Sequence, residues 1–175
     1  VFLGVVHRLD RPTSGALVFA RTSKALERLN AQFRDKETNK IYWAIVGQKP
    51  PQPSGNLVHF LKKNEAQNKS YVVADGTPGA KKALLQYRQI AASERYFLLE
   101  IKLETGRHHQ IRCQLASMGC IIKGDLKYGD KRSNPDGSIC LHARTLSFEH
   151  PTTKERIAVV APLPKLGIWA AFNQD

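Results

Sequence analysis

Cysteine, methionine, acidic residues and long apolar runs are what this 175-residue sequence has least of. It holds three cysteines, Cys113, Cys120 and Cys140, and a single methionine. An odd cysteine count with no C-x-x-C pair suggests neither a disulfide framework nor a zinc ribbon. Reduced thiols of a cytoplasmic protein are the simple reading. No apolar stretch is long enough to span a bilayer. The opening VFLGVV lacks the basic flank and the length of a signal peptide, and no long basic amphipathic helix supports a membrane-surface role. There is no Walker loop and no G-x-G-x-x-G opening a helix, which argues against ATP or NAD use. Internal repeats and low-complexity segments are absent too.

The shortage of acid leaves a large positive excess. Asp and Glu number 15 against 27 Lys and Arg, giving a formal net charge of +12 and a sequence pI near 9.9. Such an excess serves an anionic partner, because Lys and Arg displace counterions from phosphates. Nucleic acid is favoured over an ordinary basic surface. The hydrophobic share of 42% is enough for a buried core, and the length suits one domain.

Periodicity predicts more strands than helices. Val1 to Val6 reads as a buried strand and Ala16 to Ala20 as another, after a turn at Gly15. Ser23 is placed as an N-cap, and Leu26, Leu29 and Phe33 recur at helical spacing, so Lys24 to about Asp35 is a predicted helix. Ile41 to Val46 is a strand closed by Gly47, and QKPPQPSG after it is a loop. The lysine-rich stretch from about Lys62 to Ala83 reads as a strand flanked by mobile basic loops. From Arg95 to Glu104, alternation puts Phe97, Leu99, Ile101 and Leu103 on one sheet face. A helix is expected from near His108, with Ile111, Leu115 and Met118 on one stripe and Gly119 at C′. Strands follow around Ile139 to Phe148 and Ile157 to Ala161. Strands that do not alternate regularly with helices argue for α+β rather than a doubly wound fold.

Three segments carry polar chemistry. In HRLDRPTSG, His7 to Gly15, a strand runs into a turn stiffened by Pro12, with Asp10 at its centre. Taken alone, Asp10 reads as a turn cap. In TGRHHQIRCQLASMG, Thr105 to Gly119, Arg112 lies about 100° round the helix from Ile111. A charge at the edge of a buried face needs a partner. An ionised Asp suits it, because a guanidinium can grip a carboxylate in two places, lower its pKa and fix its orientation. His108, four residues earlier on the same side, could orient a phosphate. His108 and His109 point to different sides, a poor start for a zinc site. In KIYWAIVG, Lys40 to Gly47, Tyr42 and Trp43 face opposite ways; a ring there could stack on a base, although two core aromatics is the plainer reading.

HRLDRPTSG, K-x-Y-x-A-x-V-G, TGRHHQIR, GCIIKGDLKYG and LHARTLSFEHP occur in that order, from about His7 to Pro164. This series closely resembles the RluA-type family of RNA pseudouridine synthases. The resemblance implies a bent, mixed, largely antiparallel sheet flanked by helices, with a basic catalytic cleft. It implies that Asp10 is the essential catalytic residue, Tyr42 the active-site aromatic and Arg112 the partner of the catalytic Asp. Arg8 would displace or replace the flipped base, and Arg107, His108, His109 and Lys123 would join it in contacting RNA. No metal and no organic cofactor is implied.

The implied activity converts specific uridines in structured ribosomal or transfer RNA to pseudouridine, with the Asp carboxylate as nucleophile or base. The partner is RNA, with no membrane involved, and a monomer in the cytoplasm is expected. Residues 1–175 would form one catalytic domain lacking its N-terminal part, since the family usually carries a Lys-Pro motif upstream. Gln114 stands where the family usually has His, a difference expected to affect RNA contacts more than chemistry. Two other readings compete. A non-catalytic RNA-binding module of the same fold would not need Asp10, Tyr42 and Arg112 together. A hydrolytic nucleoside N-glycosidase would need a second acid to activate water, and HRLDRPTSG offers none.

Overall fold

The computed structural model describes residues 1–165 and 167–172; the expected domain's residues 166 and 173–175 lie outside them. The short strands β1 (Gly4–Val5), β2 (Ser14–Gly15) and β3 (Phe19–Ala20) precede helix α1 (Ser23–Arg34). Then come β4 (Asn39–Val46), β5 (Ser54–Asn64), β6 (Lys69–Val73), β7 (Lys81–Ala92) and β8 (Phe97–Leu103). Helix α2 (Gln110–Ser117), a 3₁₀ turn (Leu126–Tyr128), β9 (Leu141–Glu149), β10 (Arg156–Val160) and a second 3₁₀ turn (Gly167–Phe172) complete the order.

The main sheet runs β10-β9-β4-β8-β7-β5-β6. Every neighbouring pair along it is antiparallel, and β2 adds one parallel pairing against β9. The sheet is therefore mixed and largely antiparallel, and the class is α+β, as expected. Ala44, Ile45, Leu85, Leu98, Leu99 and Ile101 from its central strands are fully buried, and Ile111 and Leu115 of α2 cover them. A second cluster joins Leu29 of α1 to Ala20, Leu146 and Phe148.

Both helices form where the periodicity puts them, with different ends. Thr22, not Ser23, caps α1: its backbone is extended and its hydroxyl accepts the Ala25 N–H at 3.1 Å. Helix α2 starts at Gln110 rather than near His108, because His109 has φ +52 and cannot continue a helix backwards. Its end matches expectation. Gly119, at φ +82, donates to Ala116, and Cys120 donates to Leu115, the paired bonds of a Schellman cap.

Two strand expectations need correction. Only Gly4 and Val5 of the first six residues pair, against Ala20 and Phe19, and Val1, Phe2, Leu3 and Val5 are exposed. The partner strand is two residues long, and the Leu26 side chain packs over Gly4, so little of the segment is covered. The lysine-rich stretch is not a strand between loops but three strands, with β5 paired to β6 on one side and to β7 on the other. Lys62 faces Tyr71 across β5–β6 and Leu61 faces Lys81 across β5–β7. Lys62 and Lys82 point away from the face that Leu61, Ala83 and Leu85 fill, while Lys63 and Lys81 share that face but sit exposed near the strand ends.

Candidate active site

Asp10 sits at the head of a tight turn held from both sides. The Thr13 N–H donates to the Asp10 carbonyl at 2.8 Å, and the Ile139 N–H donates to Pro12 at 3.0 Å. Beyond it, Ser14 and Gly15 pair with His142 and Ala143, and the Ser14 hydroxyl bonds the buried His142 ring at 2.8 Å. Gly15 permits this approach: at φ +127, an added Cβ would lie 2.4–2.6 Å from Ala143 backbone atoms. Before the turn, His7 stacks on Phe33 and accepts the Val18 N–H at 3.1 Å. Burial first, and Lys40 second, push the His7 pKa down to about 4. The ring is neutral at neutral pH, as an acceptor must be.

Arg112 projects from α2 toward this turn and is 5% exposed. Its two-point grip is not on Asp10. Nε and Nη2 each donate at 2.8 Å to the two oxygens of Asp125, which is itself 1% exposed. Nη1 remains, facing Asp10 Oδ2 at 3.5 Å and His109 Nε2 at 3.1 Å. The expected pairing thus exists as one long contact, and the bidentate carboxylate is a residue the sequence reading did not select. Burial opposes the Arg112 charge, but Asp125 and then Asp10 outweigh it and raise the pKa.

His109 lines the cleft as well and supports Arg112. It is 8% exposed and both ring nitrogens are engaged. Burial, followed by the Arg112 charge, drives its pKa down to about 3. Because Nε2 faces a guanidinium N–H it must accept, so the ring proton is on Nδ1 and donates to the Tyr128 hydroxyl at 3.0 Å. That hydroxyl also accepts the Ser70 N–H at 2.9 Å. Tyr128 lies under the guanidinium, 5.1 Å from ring centre to Cζ. A chain of buried partners therefore fixes Arg112 from four sides.

Asp10, His109 and Arg112 line a cleft of about 960 Å³. Among its described lining residues Asp10 is the one carboxylate, while Arg8, Arg11, Arg34, Lys40, Lys63, Arg107, Arg112 and Lys127 are cationic. Tyr42 lines it too, brought in by β4 between β8 and β9. Burial and then the Asp10 charge push the Tyr42 pKa up to about 12, so it stays a phenol at neutral pH.

Of the remaining expected residues, Arg8, Arg107 and His108 line the same cleft. Arg107 Nε is tied to the Lys82 carbonyl at 2.8 Å, and His108 bonds Ser70 and Asn68. Lys123 does not join them: it lines a different cavity with Arg95, Lys131 and Arg132. The reading also missed Asp125, Tyr128 and Ser70. The first two stand in the GCIIKGDLKYG block, where a lone Asp and Tyr three residues apart flank the 3₁₀ turn; Ser70 carried no signal.

A family model described as RNA pseudouridylate synthase matches residues 2–117. The chain belongs to this family. An RNA pseudouridine synthase of Chloroflexus aurantiacus is 40% identical over 162 residues, covering 92% of this chain and 50% of the relative. Ribosomal large subunit pseudouridine synthase D of Zymomonas mobilis is 34% identical over 170 residues, covering 93% and 53%. The structure named Human RNA Pseudouridylate Synthase Domain Containing 4 superposes with a TM-score of 0.79 at 26% identity, covering 93% of this chain and 72% of that one. The chain spans about half the length of the curated relatives it matches. The RluA-type assignment drawn from the motifs stands with these relatives. Among the described residues no helix is long and apolar enough to cross a membrane.

Proposed function

We propose that this pseudouridine synthase domain isomerises uridine to pseudouridine in structured RNA, with Asp10 as the reacting carboxylate. One observation carries the reading: the cleft's one described carboxylate stands 3.5 Å from a guanidinium nitrogen whose two neighbours are locked by Asp125. Arg112 then favours the ionised carboxylate, the form that can act as nucleophile or base.

The reaction breaks the N1–C1′ bond, turns the uracil and joins C5 to C1′; the C5 proton leaves and N1 gains one. All bonds made and broken lie within one nucleotide, so the balance calls for no metal and no organic cofactor. A paired base cannot turn, so the nucleotide must leave the stack. Arg8 fills the vacated space. Tyr42 stacks on the extruded uracil, and its hydroxyl relays the C5 proton. Arg107 and His108, with the other cations of the rim, hold backbone phosphates. Ribosomal RNA is the substrate that the names of two relatives support, with transfer RNA the other arm of the test. We further propose that it acts as a monomer in the cytoplasm.

Tritium release from RNA labelled at C5 of uridine tests this, using ribosomal and transfer RNA separately. The protein should release tritium from one of them and Asp10→Asn should release none. Equal release from both proteins, or free uracil as a product, rejects the mechanism.

A further inference from the structure

A second cationic surface lies at the far end of the central strands from Asp10. Strand β4 carries Tyr42 in the cleft and is followed directly by Gly47, which lines a separate cavity of about 400 Å³. Five residues of strand separate the two by roughly 16 Å. Arg95, Lys123, Lys131 and Arg132 line this second cavity, together with Tyr96 and Asp130. They come from three places: the turn between β7 and β8, Lys123 ahead of the 3₁₀ turn at Leu126–Tyr128, and the loop after that turn.

The loop is built, not loose. The Gly124 N–H donates to Asp130 Oδ2, and the Lys131 N–H donates to Oδ1 at 2.7 Å. Asn134 donates to the Ser138 carbonyl at 2.9 Å and accepts from Lys123 at 3.3 Å. The one carboxylate in the lining is therefore occupied by backbone amides, and its nearest cation, Lys123, is 4.0 Å away. Among the described residues Arg95, Lys131 and Arg132 make no ion pair. All three are exposed, and Glu94 is the neighbouring acid on the β7–β8 turn.

We infer that Arg95, Lys131 and Arg132 form a second RNA-backbone contact, which holds the phosphates of a helical segment flanking the nucleotide extruded into the cleft. Cations on an ordered loop with no carboxylate partner complement phosphate, and backbone contacts of this kind fix register without reading sequence. Asp125 opens the 3₁₀ turn that leads into this loop, so the segment that grips Arg112 runs directly on to Lys131 and Arg132. This inference rests on the proposed function, since it assumes RNA in the cleft.

The test compares three proteins: the unmodified chain, the triple variant Arg95→Ala, Lys131→Ala, Arg132→Ala, and a control of equal charge loss, Arg21→Ala, Lys24→Ala, Lys154→Ala. Tritium release from C5-labelled total RNA is followed against RNA concentration, and RNA affinity against salt. The first triple variant should show KM raised on the order of tenfold with kcat unchanged, and a salt slope smaller by about 3, roughly 1 per lost phosphate contact. The control should match the unmodified chain. An unchanged KM and slope in the first variant overturns the inference, as does an equal change in both variants, which would reduce the effect to net charge. Failure of the unmodified chain to release tritium rejects instead the activity on which the inference rests.

Discussion

Asp125 holds Arg112 at two points, 2.8 Å each, and leaves a single nitrogen to face Asp10 at 3.5 Å. The guanidinium is therefore aimed by one carboxylate and used on another. Removing the aiming group leaves a buried charge without its main partner, which typically costs about 3–5 kcal/mol.

Asp125→Asn should lower both stability and turnover. For a chain of this size, ~3 kcal/mol corresponds to a Tm lower by roughly 6–12 °C. Below the new Tm, kcat should fall while RNA affinity holds, because no phosphate-facing cation has changed. Circular dichroism melts and tritium-release kinetics check the two parts. A wild-type kcat in the folded variant would show that Asp125 does not position Arg112.

Tyr42→Phe separates stacking from proton movement. The ring is kept, so RNA binding should be unchanged. Loss of the hydroxyl should reduce kcat by about 10²–10⁴, the usual range for a positioned proton-transfer group. Burst kinetics and a binding isotherm measure both. An undiminished kcat would limit Tyr42 to packing against the base.

Gly15→Ala tests the seat of the Asp10 turn. Its Cβ would meet the Ala143 backbone at 2.4–2.6 Å, at a φ of +127 that side chains rarely adopt. Neither backbone can yield without breaking the β2–β9 pairing, so a loss of at least about 3 kcal/mol is expected. Urea denaturation gives the value. A change under about 1 kcal/mol would mean the turn re-forms without that contact.

Acid should weaken the fold before the carboxylates titrate. In the unfolded chain both rings titrate near 6.5; folded, His7 is held near 4 and His109 near 3. The unfolded state therefore binds more protons as pH falls. The stability from these rings is fully present above pH 6.5 and is lost as pH drops toward 4 and then 3. His7→Gln keeps an acceptor for the Val18 N–H and should flatten Tm between pH 6.5 and 4. Parallel curves for the two proteins would remove His7 as a cause.

The sequence carried the architecture where patterns were regular. Phe97, Leu99, Ile101 and Leu103 gave β8, and Leu26, Leu29 and Phe33 gave α1, because periodicity reports which face is buried. It failed where adjacent lysines broke the alternation, as with Lys62 and Lys63 on β5 and Lys81 and Lys82 on β7. At the site, the segments of Asp10, Tyr42 and Arg112 were visible as motifs, and the structure gathers them in one cleft. The bidentate role of Asp125 was not visible, since nothing local says which of several carboxylates a distant guanidinium will meet. The partners of His109 were hidden for the same reason. Nothing local says that its ring is held between Arg112 and Tyr128.

Strand β9 has a consequence for how the molecule matures. The Asp10 turn is docked on His142 and Ala143, more than a hundred positions downstream, so the cleft cannot assemble before β9 has been made. Contacts this far apart close late and slowly. A fragment ending at residue 117 would hold Asp10, Tyr42 and Arg112, yet lack both the strand that seats the first and the carboxylate that aims the last. Seating Asp10 and aiming Arg112 therefore both wait on residues 125–143, so the arrangement of the cleft is decided by segments made after all three of its motif residues.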